Sequence, residues 1–389
     1  MNNIIFNSEN LQFFKNENYI NFLQLMASLS KLFSDNTSPF LHYRIMENSF
    51  CKFCNAENLS RSDTAYDAKI VNKNGNIGVG LKTFLCEKYN YSIEKIAEFN
   101  KISSILNEIK DKNILAENLA KYRNDRIDFA NRTYGIQKAI YHIVARKENK
   151  LIFFNTDYDK INLDNLQILS YSKKSLIFRD NQNEYNFNFS KSVLQRKFFI
   201  PRDSFELNID IISDPINLLL SIQNEILSRS NSFTILTKKP GIDYVILPLY
   251  SVRDNNVPER SQLNQWNASG RPRDKNEIYI SIPIIIHKVF PNFFPRRDIP
   301  FYLKTPLDEI LNVKVCQDNG KALMSNPNKE LGNWLLRKVL KLREGELLTM
   351  ERLEILGIDS VIICKDKNNY SIDFMPINSY KNFEKNFCN

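Results

Sequence analysis

Residues 257–304 read VPERSQLNQWNASGRPRDKNEIYISIPIIIHKVFPNFFPRRDIPFYLK. A basic, polar, glycine-punctuated loop here feeds directly into β-type sequence, and everything else in the chain is read around it. Asn264, Gln265, Asn267, Arg271 and Arg273 fall within ten positions of one another. These are the side chains that make paired hydrogen bonds to base edges, arginine to guanine and asparagine or glutamine to adenine. Solubility alone does not call for such a set, so the segment is expected to be an arm that reads double-stranded DNA. Trp266 within it serves either as a core or hinge anchor for the arm or as a ring that stacks on a base.

Working outward, the bulk numbers agree with a polyanionic partner. The chain has 389 residues, which predicts two domains rather than one core. Its net charge of +9 favours nucleic acid. The 27 Phe and 17 Tyr against only 10 Gly speak for packed interiors and against disorder. Six cysteines in a chain of this size are not a disulfide framework. The segment MNNIIFNSENLQFFKNENY lacks a basic stretch, a long apolar run and a small-residue cleavage site. The apolar run Ile282–Ile286 contains Pro283 and is far short of the ~20 residues of a membrane span. A cytoplasmic protein with no membrane partner is expected.

Apolar spacing predicts a helix over 9–34, closed by Pro39, and a short helix from about His42 to Cys54. Alternation in TAYDAKIV, a KNGN turn at Asn74-Gly75 and the run IGVGLKTFL predict a hairpin. From Ser92 to about Ala145 the charged and apolar residues follow helical spacing. Strands return in LIFFNTDYDKI and in KSLIFRDNQNEYNFNFSKS, with Asp180-Asn181 as a turn. Residues 215–228 read as an amphipathic helix and Thr237–Gly241 as a linker. The remainder reads as nearly all β, with one helix at Lys329–Leu342 whose Trp334, Leu335, Val339 and Leu342 belong to the core. A domain over 1–236 and a second over 240–389 are expected.

Three segments, LNQWNASGRPRDKNEIYISIP, KVFPNFFPRRDIPFYLK and KVCQDNGKALMSNPNKELGNWLLRKVL, resemble in order the B3-like DNA-recognition domain of type II restriction endonucleases, closest to the NgoFVII C-terminal type. The resemblance covers roughly Leu247 to Pro376. It implies an all-β pseudobarrel with short helices that grips the major groove with two loop arms. Carried over by position, the first arm is Arg253–Arg273 and the second is Lys321–Asn328. Ser325, Asn326 and Asn328 form a second polar cluster just before a helix, a place suited to phosphate through free backbone N–H groups.

The first half must supply any chemistry. The chain has only three histidines, His42, His142 and His287, and no HxK motif, which argues against a phospholipase-D-type nuclease and an HNH site. His142 and His287 stand in apolar surroundings and read as structural. Gly75, Gly78 and Gly80 are followed by no GK[ST], so they are not an ATP-binding loop. Cys51-x-x-Cys54 is either half of a zinc site or two incidental thiols. A carboxylate-and-lysine site remains. In SDTAYDAKIVNKNGNIGVGLKTF, Asp67 is on the first strand, and Gly80 and Lys82 share a face of the second.

That hairpin resembles the PD-(D/E)XK nuclease core over about Arg44 to Phe154, an α/β fold with a mixed sheet and helices. The resemblance implies that Asp67, or Asp63 of the dipeptide Ser62-Asp63, is the first acid and Lys82 the catalytic lysine. It departs from the family at Gly80, where the second acid belongs. Glu47 on the preceding helix is the expected replacement, with Glu57 second. Carboxylates at Asp67 and Glu47 would bind Mg²⁺, which takes oxygen ligands. The combined expectation is a Mg²⁺-dependent type II restriction endonuclease, accompanied by a cognate DNA methyltransferase. With one candidate site per chain, a homodimer or transient pairing is expected. The rival readings are a sequence-specific DNA-binding protein with an inactive nuclease fold, and a nuclease subunit dependent on a separate ATPase.

Overall fold

The structure, a computed structural model, describes residues 13–60, 64–73, 75–222 and 242–385. Asp63, Asn74 and the predicted linker Thr237–Gly241 lie outside the described residues. By its contacts the chain divides into two compact units. One comprises Met1–Ser60, Ala65–Arg123 and Ile136–Lys238, the other Arg61–Thr64, Asn124–Gly135 and Lys239–Asn389.

The first unit opens with two helices, α1 (Glu17–Ser28) and α2 (Tyr43–Phe53). The Asn16 side chain caps α1 by accepting from Tyr19 N–H, and His42 caps α2 by accepting from Arg44 N–H. Next come β1 (Glu57–Asn58), β2 (Ala68–Ile70), β3 (Asn76–Leu85) and β4 (Tyr91–Glu98). Helices α3 (Ser103–Glu108) and α4 (Lys112–Tyr134) lead to β5 (Ile136–Lys147) and β6 (Lys150–Asp157). Strands β7 (Gln167–Tyr171), β8 (Ser175–Arg179), β9 (Glu184–Asn188), β10 (Val193–Phe199) and β11 (Phe205–Asn208) precede α5 (Pro215–Ser221).

A six-stranded mixed sheet has the order β1-β2-β3-β5-β6-β11 and a five-stranded sheet the order β4-β10-β9-β8-β7. The predicted hairpin is the antiparallel pair β2 and β3, and β3 runs parallel to β5 with Gly80 beside Tyr141. Because side chains alternate along a strand, Ile77, Val79 and Leu81 point one way, into a core shared with Tyr19, Leu23, Met46 and Phe50 of α1 and α2. Gly78, Gly80 and Lys82 point the other way.

Tyr91–Glu98 departs from the helical expectation. It is a strand, paired along seven positions with β10. The register slips there: Leu194 faces Ala97 and Gln195 faces Lys95, so Ile96 is an extra residue in a bulge. The bulge breaks the two-residue alternation and leaves Ile93, Ile96 and Ala97 at spacings that imitate a helix.

The second unit is built on β12 (Ile242–Pro248), β13 (Ile280–Ser281), β14 (Pro300–Lys304), β15 (Ile310–Cys316), β16 (Ala322–Ser325), β17 (Ile358–Asp366) and β18 (Asn369–Pro376). These form one sheet ordered β12-β17-β18-β14-β15-β16-β13, antiparallel except for β14 with β18. Its edge strands β12 and β13 come together, so the sheet curls into a nearly closed barrel. Trp334, Leu335, Val339 and Leu342 all lie in its core as expected. The first three sit on an α-turn, Glu330–Gly332, followed by a π-helix, Asn333–Val339, in which Leu340 N–H reaches back to Leu335 O, and Leu342 lies just beyond the helix end.

Three helices absent from the sequence reading, Ile284–Val289, Met350–Leu356 and Ser379–Lys385, complete the unit. The first hides in a β-branched run that reads as strand. Asn124–Gly135, the end of α4, also packs here. Arg126 Nε donates to Ile355 O at 2.7 Å, Arg132 Nε donates to Val339 O at 2.8 Å, and Phe129 packs on Phe374.

Candidate functional site

The hairpin and α2 bring Glu47, Asp67 and Lys82 together. Asp67 stands just before β2, its N–H donating to Val79 O at 3.0 Å and its Oδ2 accepting from Leu81 N–H at 2.6 Å. These bonds pin the carboxylate across the hairpin from Gly80. Burial raises the Asp67 pKa, while Lys82 and the Leu81 amide pull it back. Glu47, half-buried on α2, is pushed up to about 7, first by burial and then by the Asp67 carboxylate, with Ser60, Arg44 and Lys82 opposing. The Asp67 carboxylate is therefore close enough to resist ionisation of Glu47.

Two neighbours escaped the sequence reading. The Cys51 thiol is pushed up to about 11 by burial, then by Glu47 and Asp67, which places it beside them. Glu94 on β4 is raised by burial and lowered by Ser92, whose hydroxyl donates to it at 2.6 Å, by Lys82 and by Arg146. Glu94 was hidden by reading its strand as helix. Glu57, the second choice for the missing acid, is held by Lys69 at 2.7 Å. Among the described residues, no three or more His, Cys, Asp or Glu side chains gather where a metal could bind.

Gly80 has a physical reason to lack a side chain. A Cβ there would lie 2.6 Å from Tyr158 Cε2 and 2.8 Å from Tyr141 ring carbons. The two rings stack at 4.1 Å, and the buried Arg123 guanidinium sits 4.7 Å over Tyr158 while donating to Tyr141 Oη at 3.3 Å. No acid fits at position 80 unless this cage opens.

The arm of the second unit is partly inward. Gln262–Asn267 forms a 3-10 helix. Asn264 is buried, its Nδ2 donating to Pro258 O and Leu348 O while its Oδ1 accepts from Leu348 N–H. With its amide committed to backbone, it holds the arm and does not reach a base, which corrects the expectation for that residue. Trp266 is buried in the barrel core with the Lys275 ammonium 4.8 Å over its ring, an anchor and not a stacking platform. Arg273 points inward too, its guanidinium donating to Ala268 O at 2.8 Å and Ser269 O at 3.3 Å.

Asn267, Arg271 and Arg253 are exposed, and Gln265 is half-buried. The sequence reading missed Glu277, a buried carboxylate that receives both Gln265 and Arg271. An acid four residues beyond the second of two arginines reads as surface, and only the folded loop turns it inside.

The second arm also needs correction. Ala322–Ser325 is the buried strand β16, not a loop. Lys321 and Asn326, at its two ends, are five residues apart, ~16 Å along an extended chain, and do not form one contact patch. Ser325 is buried and its Oγ accepts from Leu331 N–H at 2.8 Å, while Glu330 N–H is taken by Pro327 O. Donors expected to be free for phosphate are thus spent within the fold. Lys321, Asn326 and Asn328 remain exposed.

Residues 227–366 match the family model of the NgoFVII C-terminal B3-like DNA-binding domain, a domain of restriction enzymes. The match supports DNA as a partner and points to sequence-specific binding in a restriction system. No curated protein matches the chain. No described helix is long and apolar enough to cross a membrane.

Proposed function

We propose that the chain is a type II restriction endonuclease that hydrolyses DNA phosphodiester bonds at or near a short specific duplex sequence, using Mg²⁺. The observation that carries the reading is the convergence of Glu47, Asp67 and Lys82 in a chain that also holds a restriction-enzyme reader domain. Glu47 and Asp67 are neighbouring carboxyls that share Lys82 as a nearby positive charge, and their oxygens suit Mg²⁺. That ion is commonly held by one or two carboxylates together with substrate phosphate. Glu47 and Asp67 would hold it. When bound, it supplies orientation of the attacking water and neutralises charge growing on the phosphate.

The chain's own groups do the rest. The Leu81 amide fixes one oxygen of Asp67 and so sets the direction of the other. Lys82 offers a fixed positive charge to the reacting phosphate or its water. Pairing of two chains to cut both strands, and a cognate methyltransferase that protects the sites, belong to the same proposal.

The test is incubation of the purified chain with unmethylated phage DNA in Mg²⁺ or EDTA. Discrete, Mg²⁺-dependent fragments are expected, and Glu47→Gln, Asp67→Ala and Lys82→Ala should abolish them while sequence-specific binding persists in a shift assay. Cleavage that survives both Asp67→Ala and Lys82→Ala would sink the catalytic assignment. A second reading, sequence-specific binding without hydrolysis, draws on the finding that among the described residues no three His, Cys, Asp or Glu side chains gather where a metal could bind. Binding with no cleavage under any condition would support it.

A further inference from the structure

Three arm side chains converge on one oxygen. Glu277 Oε1 accepts from Gln265 Nε2 at 3.1 Å and from a terminal nitrogen of Arg271 at 2.5 Å, and Arg273 Nε lies 3.6 Å away. The Glu277 side chain is only 4% exposed. A buried carboxylate is tolerated where donors surround it, and here the donors come from both ends of the base-reading cluster. The two arginines differ. Arg273, 16% exposed, donates from one terminal nitrogen to backbone carbonyls of the same loop, so it is framework. Arg271, 56% exposed, donates from one terminal nitrogen to Glu277 and from the other only by a long 3.4 Å bond to the neighbouring Pro272 O, so its fork still faces solvent.

We propose that Glu277 is a positioning residue for sequence reading. By gripping Gln265, Arg271 and Arg273 it sets the Arg271 fork before DNA arrives. The inference rests on the DNA-reading role proposed above. It separates two quantities that usually move together. Attraction to phosphate follows net charge, which Glu277→Gln makes more positive. Discrimination between bases follows the direction of a bidentate fork, which Glu277→Gln releases. Loss of Glu277 therefore lowers sequence discrimination without lowering general affinity.

The experiment begins by selecting a preferred duplex from a random double-stranded oligonucleotide pool with the full chain. Affinities for that duplex and a scrambled one are then measured for the unaltered chain, Glu277→Gln, Arg271→Ala and the double variant. The preferred-to-scrambled ratio should fall about tenfold or more in Glu277→Gln, the scale of one bidentate base contact. Scrambled binding should be unchanged or tighter, and the double variant no less discriminating than Arg271→Ala alone.

Equal weakening on both duplexes, or effects of the two single variants that multiply in full, would overturn the role of Glu277. Should Glu277→Gln fail to fold, Glu277→Asp keeps the charge but withdraws the carboxylate. The same loss of ratio is expected there, and a full ratio overturns the inference. An unaltered chain that selects no sequence overturns the DNA-reading proposal and this inference with it, whereas a discriminating chain with an unaffected Glu277→Gln overturns only the latter.

Discussion

Gly80→Ala adds a single carbon at the position where a nuclease of the resembled kind carries an acid, and the structure says what that carbon meets. Its Cβ would stand 2.6 Å from one tyrosine ring and 2.8 Å from another. Neither ring has room to yield. Tyr158 and Tyr141 are both buried, their stack is covered by Arg123, and Arg196 lies 5.6 Å over the Tyr141 ring. The Tyr158 hydroxyl is further tied to Ala65 O. Overpacking of a rigid core costs about 1–3 kcal/mol, and two ring contacts this close put Gly80→Ala at the upper end, about 3 kcal/mol. At about 2–4 °C per kcal/mol for a unit of this size, the loss is about 6–12 °C of melting temperature. Thermal unfolding of the full chain reads it directly, and in a Tyr158→Leu background the penalty should shrink because the nearer ring is gone. Gly80→Glu should be at least as unstable and gain no cleavage. A Gly80→Ala chain that melts within about 1 °C of the unaltered one would refute the cage as the reason for glycine, and with it the argument that the second acid must come from α2.

Two further outcomes follow from buried polar groups. His142 is buried with its Nδ1–H donating to Asn155 Oδ1 at 2.8 Å and Tyr19 Oη donating to its Nε2 at 3.2 Å, and burial lowers its pKa to about 4 from the usual 6.5. Neutral in the fold and protonated more readily when unfolded, it contributes in full above pH 6.5, and its contribution is lost as pH falls towards 4. About 2 kcal/mol should be gone at pH 5, seen as an acid-sensitive urea midpoint that His142→Gln flattens; equal acid loss in both chains would place the ring in water. Asn264→Ala strips partners from Pro258 O and from both backbone groups of Leu348, and should cost about 3 kcal/mol while weakening preferred and scrambled duplexes alike. A relaxed preference at one base with unchanged stability would return Asn264 to the readers.

What the sequence disclosed depended on whether the signal was local. The hairpin could be read from alternation around a glycine turn, and Glu47 from its place one helix earlier. The Trp334 helix was visible from its apolar face. Tyr91–Glu98 was not, because a bulge at Ile96 erased its alternation and only pairing with a strand a hundred residues later makes it extended. Side-chain direction within the arm was equally hidden. Asn264 and Asn267 are the same residue type three positions apart, yet one is buried against Leu348 and the other exposed. Composition predicted an arm rich in base-reading groups, and the fold commits about half of them to holding the arm's own shape. Glu277 illustrates the limit, since no periodicity marks an acid whose partners are brought to it by a turn.

The end of α4 has a consequence for how such a chain could have been assembled. Asn124–Gly135 is inserted into the packing of the second unit, more than a hundred residues ahead of the rest of it. A single crossover near residue 240 would deliver a barrel without Phe129, Arg126 or Arg132, and so without the contacts these make to Phe374, Ile355 and Val339. A second unit moved by such a crossover would therefore arrive with a piece of its own packing left behind in the other half of the chain.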